Sequence, residues 1–157
     1  MTNIYGGKKA VITGGTIGMG LATAQALLAG GAEVLVTGRN PGNLESARRT
    51  LGSGAHVLAS DAGSLADIDA LAATVRERFG QIDLLHINAG ISTLEPFDQV
   101  TEAGYDRAFA INTKGPFFTV QRLEPSVTTI PQEVNVLMVV HPRDIPETTQ
   151  YAIDQFE

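Results

Sequence analysis

Thr13-Gly14-Gly15-Thr16-Ile17-Gly18-Met19-Gly20 follows directly on the apolar run Lys8 to Thr13. It leads into Ile17 to Leu28, where small and apolar residues recur at helical spacing until Gly30-Gly31. The apolar run reads as a buried strand, and the glycine pair as a helix stop. A chain that turns at glycines from a strand into a helix leaves the first N–H groups of that helix without partners and brings bare backbone within reach of an anion. A glycine triplet alone is also compatible with nothing more than a tight turn. Its place between a first strand and a first helix favours the binding of a dinucleotide pyrophosphate.

The rest of the chain repeats the alternation. Ala32 to Thr37 reads as a second strand, and Asn40-Pro41 opens a helix to about Leu51, with asparagine as N-cap and proline at the first position. Ala55 to Ala59 is a third strand, and Ser64 caps an amphipathic helix that Gly80 ends after Phe79. Ile82 to Asn88 is a fourth strand. A long helix runs from Thr101 to near Leu123, interrupted at Gly115-Pro116. Val134 to Val140 is a fifth strand and Ile145 to Phe156 a last helix. This predicts an α/β chain: a three-layer Rossmann-like fold with a five-stranded parallel sheet in the order 3-2-1-4-5. The whole of residues 1–157 is expected to form a single domain, with a crevice between strands one and four at their carboxyl ends.

Composition narrows the function. A formal net charge of −6 argues against nucleic acid or an anionic membrane as partner. The absence of cysteine removes disulfides and thiolate chemistry, and the histidines at 56, 86 and 141 show no metal-ligand spacing, so no metal is expected. No apolar run approaches membrane-spanning length, and a cytoplasmic location is the default expectation. The sequence leaves oligomeric state open.

The spacing G-x-x-x-G-x-G resembles the short-chain dehydrogenase/reductase family. Asp61-Ala62 stands after the third strand, where that family sets an acid against the adenine. Asn88-Ala89-Gly90 ends the fourth strand like the family's N-A-G motif, and Asn112 resembles its helix-four asparagine. The resemblance implies a cofactor site made of Gly14, Thr16, Ile17, Gly18, Gly20, Arg39, Asp61, Ala62, Asn88, Ala89 and Gly90. Strand two ends in Thr37-Gly38-Arg39-Asn40, with no carboxylate there to repel a 2′-phosphate and with an arginine to pair with one. NADP is therefore expected over NAD, with a solvated Arg39 as the alternative.

In this family a serine after strand five and a Tyr-x-x-x-Lys on the next helix carry the chemistry. Here strand five runs into His141-Pro142-Arg143-Asp144, and Tyr151 is followed four positions later by Gln155. The expectation is accordingly no dehydrogenase catalysis, with Asn112 a remnant. Arg143 is a further candidate for reaching a phosphate or carboxylate, against the alternative of a solvated loop residue.

Residues 134–142 with 146–156 resemble a strand-helix piece of a gliding-motility-type ABC transporter auxiliary protein. Glycine use and charge change near the same place. All 17 glycines lie at or before Gly115, and net charge falls from −1 over residues 1–123 to −5 over 124–157. These features predict a chimera engineered from two α/β fragments that keeps an NADP(H)-binding cleft. A natural fusion or decayed dehydrogenase, a purely structural recombination with no ligand, and a residual oxidoreductase remain open alternatives at this stage.

Overall fold

A computed structural model describes residues 3–92 and 95–123. Four parallel strands, β1 (Lys9–Thr13), β2 (Glu33–Gly38), β3 (Ala55–Ala59) and β4 (Leu84–Ile87), form one sheet in the order β3-β2-β1-β4. The register sets Val11 beside Leu35 and Leu85, and Ile12 beside Val36 and His86. The helices are α1 (Gly18–Ala29), α2 (Pro41–Leu51), α3 (Leu65–Arg78), α4 (Glu102–Phe109) and α5 (Gly115–Leu123).

Strand side chains alternate between the faces, so two separate cores result. Val11 and Leu35 meet Leu71, Ala72, Val75 and Phe79 of the α3 segment and Leu123 of α5. Ala10, Ile12, Val34 and Val36 meet Ala24 of α1, with Leu27, Leu28 and Leu51 packed around them. Burial on both faces explains why the inner strands read as unbroken apolar runs. Connections of β1 to β2 and of β3 to β4 pass through helices on opposite faces of the sheet, and the order of the strands reverses beside β1.

The helix starts follow their caps. Asn40 Oδ1 accepts from the Asn43 N–H at 3.0 Å, Ser64 Oγ from Asp67 at 3.3 Å, and Thr101 Oγ1 from Gly104 at 3.1 Å. At the amino end of the sheet, Asp83 accepts from Lys8 Nζ at 2.9 Å and from the Lys9 N–H at 2.8 Å. The Lys8 hydrogen bond, then the Lys9 N–H, hold its carboxyl below the ordinary carboxylate range against a smaller opposing effect of burial.

Two expectations need correction. The described sheet has four strands in the order 3-2-1-4, not five. The fifth strand and last helix expected at 134–140 and 145–156 lie outside the described residues, as do His141, Arg143, Tyr151 and Gln155. The long helix is not broken at Gly115-Pro116 either. α4 and α5 are joined through a π-helical segment, Ala110–Lys114, in which the Gly115 N–H donates to the Ala110 carbonyl five residues back. Proline at 116 has no N–H for the carbonyl four residues back, and its ring needs room there. A wider turn just before it meets both conditions without ending the helix.

Candidate functional site

The site lies at the carboxyl ends of β1, β2 and β4, where the strand order reverses. Thr13, the last residue of β1, is buried and links two strands. Its Oγ1 accepts from the N–H groups of Asn88 at 3.1 Å and Ala89 at 3.2 Å. Asn88 answers by donating Nδ2 to the carbonyls of Thr13 at 3.3 Å and Gly14 at 3.0 Å. The loop after β4 is thus fastened to the glycine loop after β1 by four hydrogen bonds.

The glycine loop is also tied to β2. The Gly15 N–H donates to the Thr37 carbonyl at 2.9 Å. Thr16 is buried against Gly38, where a Cβ would come within 2.5 Å of Thr16 Oγ1. Gly20, in the first turn of α1, has no room for a side chain. A Cβ there would lie 2.5 Å from the Gly14 carbonyl oxygen and 2.6 Å from Asn88 Nδ2.

Gly18 has a different reason. Its φ of +54° is a left-handed conformation that side chains disfavour, and nothing stands within 4 Å of its Cβ position. Ile17 before it is extended and exposed, and makes no side-chain cap to α1. The other helix starts with asparagine, serine or threonine caps contrast with this one. The first-turn N–H groups of α1 therefore carry no side-chain cap, with open space at Gly18 and the positive end of a helix behind them. An uncapped, glycine-lined helix start of this kind can hold an anionic group.

Just after β3, the Asp61 carboxylate accepts from the Gly63 N–H at 2.9 Å and pairs with Arg39 at 3.2 Å. The Asp61 N–H donates to Asp67 Oδ2 at 2.7 Å, and Ser64 Oγ donates to Asp67 Oδ1 at 2.9 Å. Ala62 sits under the start of α5, its carbonyl oxygen 1.9 Å from where a Cβ on Gly115 would be. Gly90 lies beside Asn112, whose Oδ1 accepts from the Ile91 N–H at 2.9 Å and whose Nδ2 donates to the Ile91 carbonyl at 2.8 Å. The structure thus brings the glycine loop, Arg39, Asp61-Ala62 and Asn88-Ala89-Gly90 to one end of the sheet.

Sequence reasoning missed three contributors. Thr13 fastens the two loops, Asp67 orients the backbone at Asp61, and Arg107 of α4 places Nη2 3.7 Å from Asp61 Oδ2. A threonine ending a strand before glycine is a signal for the first. The other two arise from folding distance and leave none. Among the described residues no group of three or more His, Asp or Glu side chains is arranged for a metal, and no helix is long and apolar enough to cross a membrane.

The profile of the family described as short chain dehydrogenase matches residues 8–136. The chain belongs to this family. It is 40% identical over 114 residues to galactitol 2-dehydrogenase of Agrobacterium fabrum, covering 73% of this chain and 44% of that one. It is 35% identical over 121 residues to an NADP-dependent (R)-specific alcohol dehydrogenase of Lentilactobacillus kefiri, covering 75% and 48%. The fold matches the crystal structure of a short-chain dehydrogenase/reductase (glucose/ribitol dehydrogenase) from Brucella melitensis with a TM-score of 0.73 at 32% identity, covering 78% of this chain and 53% of that one. The chain spans about half the length of the curated relatives it matches. Members of the family use NAD or NADP.

These likenesses overturn two expectations. The engineered chimera without catalysis does not hold. The family match extends to residue 136, past the change of glycine use and charge near 124, so the match does not stop at that change. It also takes in Val134-Asn135-Val136, the start of the stretch compared with a gliding-motility-type ABC transporter auxiliary protein, and the comparisons give that second resemblance no support. The inference that the protein is no enzyme fails as well, because the relatives are named dehydrogenases. It rested on residues after a fifth strand, outside the described residues and beyond the family match, which ends at residue 136, so a missing serine or Tyr-x-x-x-Lys there decides nothing about catalysis.

Proposed function

We propose that this chain is the dinucleotide-binding part of an NADP(H)-dependent oxidoreductase that interconverts an alcohol and a carbonyl compound. The uncapped start of α1 carries the reading, because its first-turn N–H groups have no side-chain cap and the space beside Gly18 is open to an anion. Gly14, Thr16, Ile17, Gly18 and Gly20 form the seat for the pyrophosphate. Asp61 and Ala62 border the adenine, and Asn88, Ala89 and Gly90 form the opposite wall. Arg39 meets the 2′-phosphate. The dinucleotide, when bound, supplies or accepts the hydride. This chain's share of the work is to hold the phosphates, orient the nucleotide across the sheet end and keep the β4 loop in register through Thr13 and Asn112. A relative named as NADP-dependent agrees with the preference for the phosphorylated cofactor.

Calorimetric titration with NADPH, beside NADH and the Gly18→Asp variant, tests the reading. Asp at 18 would put a carboxylate into the anion seat and strain the backbone. Saturable heat with NADPH, less with NADH and none from the variant is the expected result. No heat from the folded parent with either nucleotide would overturn it, and equal affinity for both would overturn the NADP preference.

A further inference from the structure

The adenosine end of the cleft has a charge arrangement that the dinucleotide reading does not by itself explain. Arg39, the residue for a 2′-phosphate, already has its guanidinium on Asp61, with Nη1 3.2 Å from Oδ2. A lone Arg–Asp pair is net neutral. Drawing Arg39 onto a phosphate would leave the Asp61 carboxylate beside a group that carries about two negative charges at neutral pH. On those two residues alone, the site has little reason to prefer phosphate to hydroxyl.

Arg107 alters the balance. It comes from α4, far along the chain, and its Nη2 is 3.7 Å from the same Asp61 Oδ2. The other oxygen, Oδ1, accepts from the Gly63 N–H, which fixes the carboxylate in place. The neighbouring carboxylate of Asp67 is committed to the Asp61 N–H and the Ser64 hydroxyl at the start of α3, where the helix dipole compensates it. Two guanidinium groups on one carboxylate leave one positive charge in excess. Side-chain exposure separates the partners: 62% for Arg39 and 46% for Arg107 against 26% for Asp61. The cations have room to swing, and the anion does not.

We propose that Arg107 is a cofactor-selectivity residue, which keeps hold of the Asp61 carboxylate while Arg39 turns to the 2′-phosphate. The inference rests on the dinucleotide reading of the cleft. Arg107 acts through Asp61, so it is a positioning residue. Its effect falls on discrimination between the phosphorylated and unphosphorylated ribose, and not on dinucleotide binding in general.

The test is titration of the parent, Arg107→Gln and Arg107→Lys with NADPH and with NADH, each variant first checked for an intact melting transition. Arg107→Gln is expected to lose about five- to tenfold in NADPH affinity, the size of a partly screened charge interaction, with NADH affinity changed less than about twofold. Arg107→Lys, which keeps the charge on an exposed helix position, is expected to stay close to the parent ratio. The NADPH preference of the parent should also shrink as salt is raised. Parallel loss of both nucleotides in Arg107→Gln would show a merely structural role and overturn the inference, as would a ratio equal to the parent's. A collapsed ratio in a folded Arg107→Lys would also overturn it. Failure of the parent to bind either nucleotide is a different result, which removes the cofactor reading and this inference together.

Discussion

Asn112 holds Ile91 by both backbone groups, accepting its N–H at 2.9 Å and donating to its carbonyl at 2.8 Å. A side-chain amide has one acceptor end and one donor end, so it can copy the pairing of a neighbouring strand. The chain just after Asn88-Ala89-Gly90 is fixed in this way from the π-helical segment. Asn112→Ala should cost about 1–2 kcal/mol in urea denaturation, since two hydrogen bonds at a partly exposed site are lost. Dinucleotide affinity should fall with it. Asn112→Asp keeps only the acceptor and should fall between parent and alanine. A stability equal to the parent's in Asn112→Ala would show that the clamp contributes nothing.

Thr13 gives a sharper case because its hydroxyl is buried. Thr13→Val has nearly the same shape but leaves the N–H groups of Asn88 and Ala89 without their acceptor. A loss of about 2–3 kcal/mol is expected, and Thr13→Ser should recover most of it. Equal stabilities of the valine and serine variants, measured by chemical denaturation, would contradict the hydrogen-bond account.

Gly20→Ala places a methyl 2.5 Å from the Gly14 carbonyl oxygen, which is backbone and cannot rotate away. Alanine ordinarily stabilises a helix position held by glycine. Here the expected sign is reversed, with about 1–3 kcal/mol of destabilisation and weakened nucleotide binding. A raised melting temperature would mean that α1 has freedom to move off the glycine loop.

Asp83 predicts an acid limb in the stability curve. Its carboxyl is held below the ordinary 3.8 by the Lys8 hydrogen bond and then by the Lys9 N–H. A depressed folded-state value means that the contribution is fully present above the unfolded value and is lost as pH falls through the folded one. Asp83→Asn should lower stability at neutral pH and flatten the decline below pH about 4. Parallel pH curves for parent and variant would contradict this.

The strand and helix order was legible because both sheet faces are covered, and apolar runs alternate with caps at Asn40, Ser64 and Thr101. The glycine loop was legible because its residues are contiguous. The pairing of Arg107 with Asp61 was not, because it joins distant parts of the chain through the rotation of α4. The π-helical segment was hidden for a related reason. A turn of five residues shifts the helical phase locally, while Gly115-Pro116 advertises a break. Reading catalysis from the residues after position 134 failed because it treated the chemistry as present or absent in a stretch that the matched half barely reaches.

The threonine clasp also dictates an order of events during folding. Its two ends are 75 residues apart in the chain, so the Thr13 hydroxyl has no partner until almost ninety residues have been made and the β4 segment has crossed over to β1. The β1-α1-β2 unit is local and is expected to form first. Joining β4 to it closes a long loop, whose entropy must be offset before any contact is gained. A dinucleotide bound across both loops as proposed would therefore recognise the chain only after this late docking. Its presence should slow the detachment of β4, and leave the speed at which the first strands assemble unchanged.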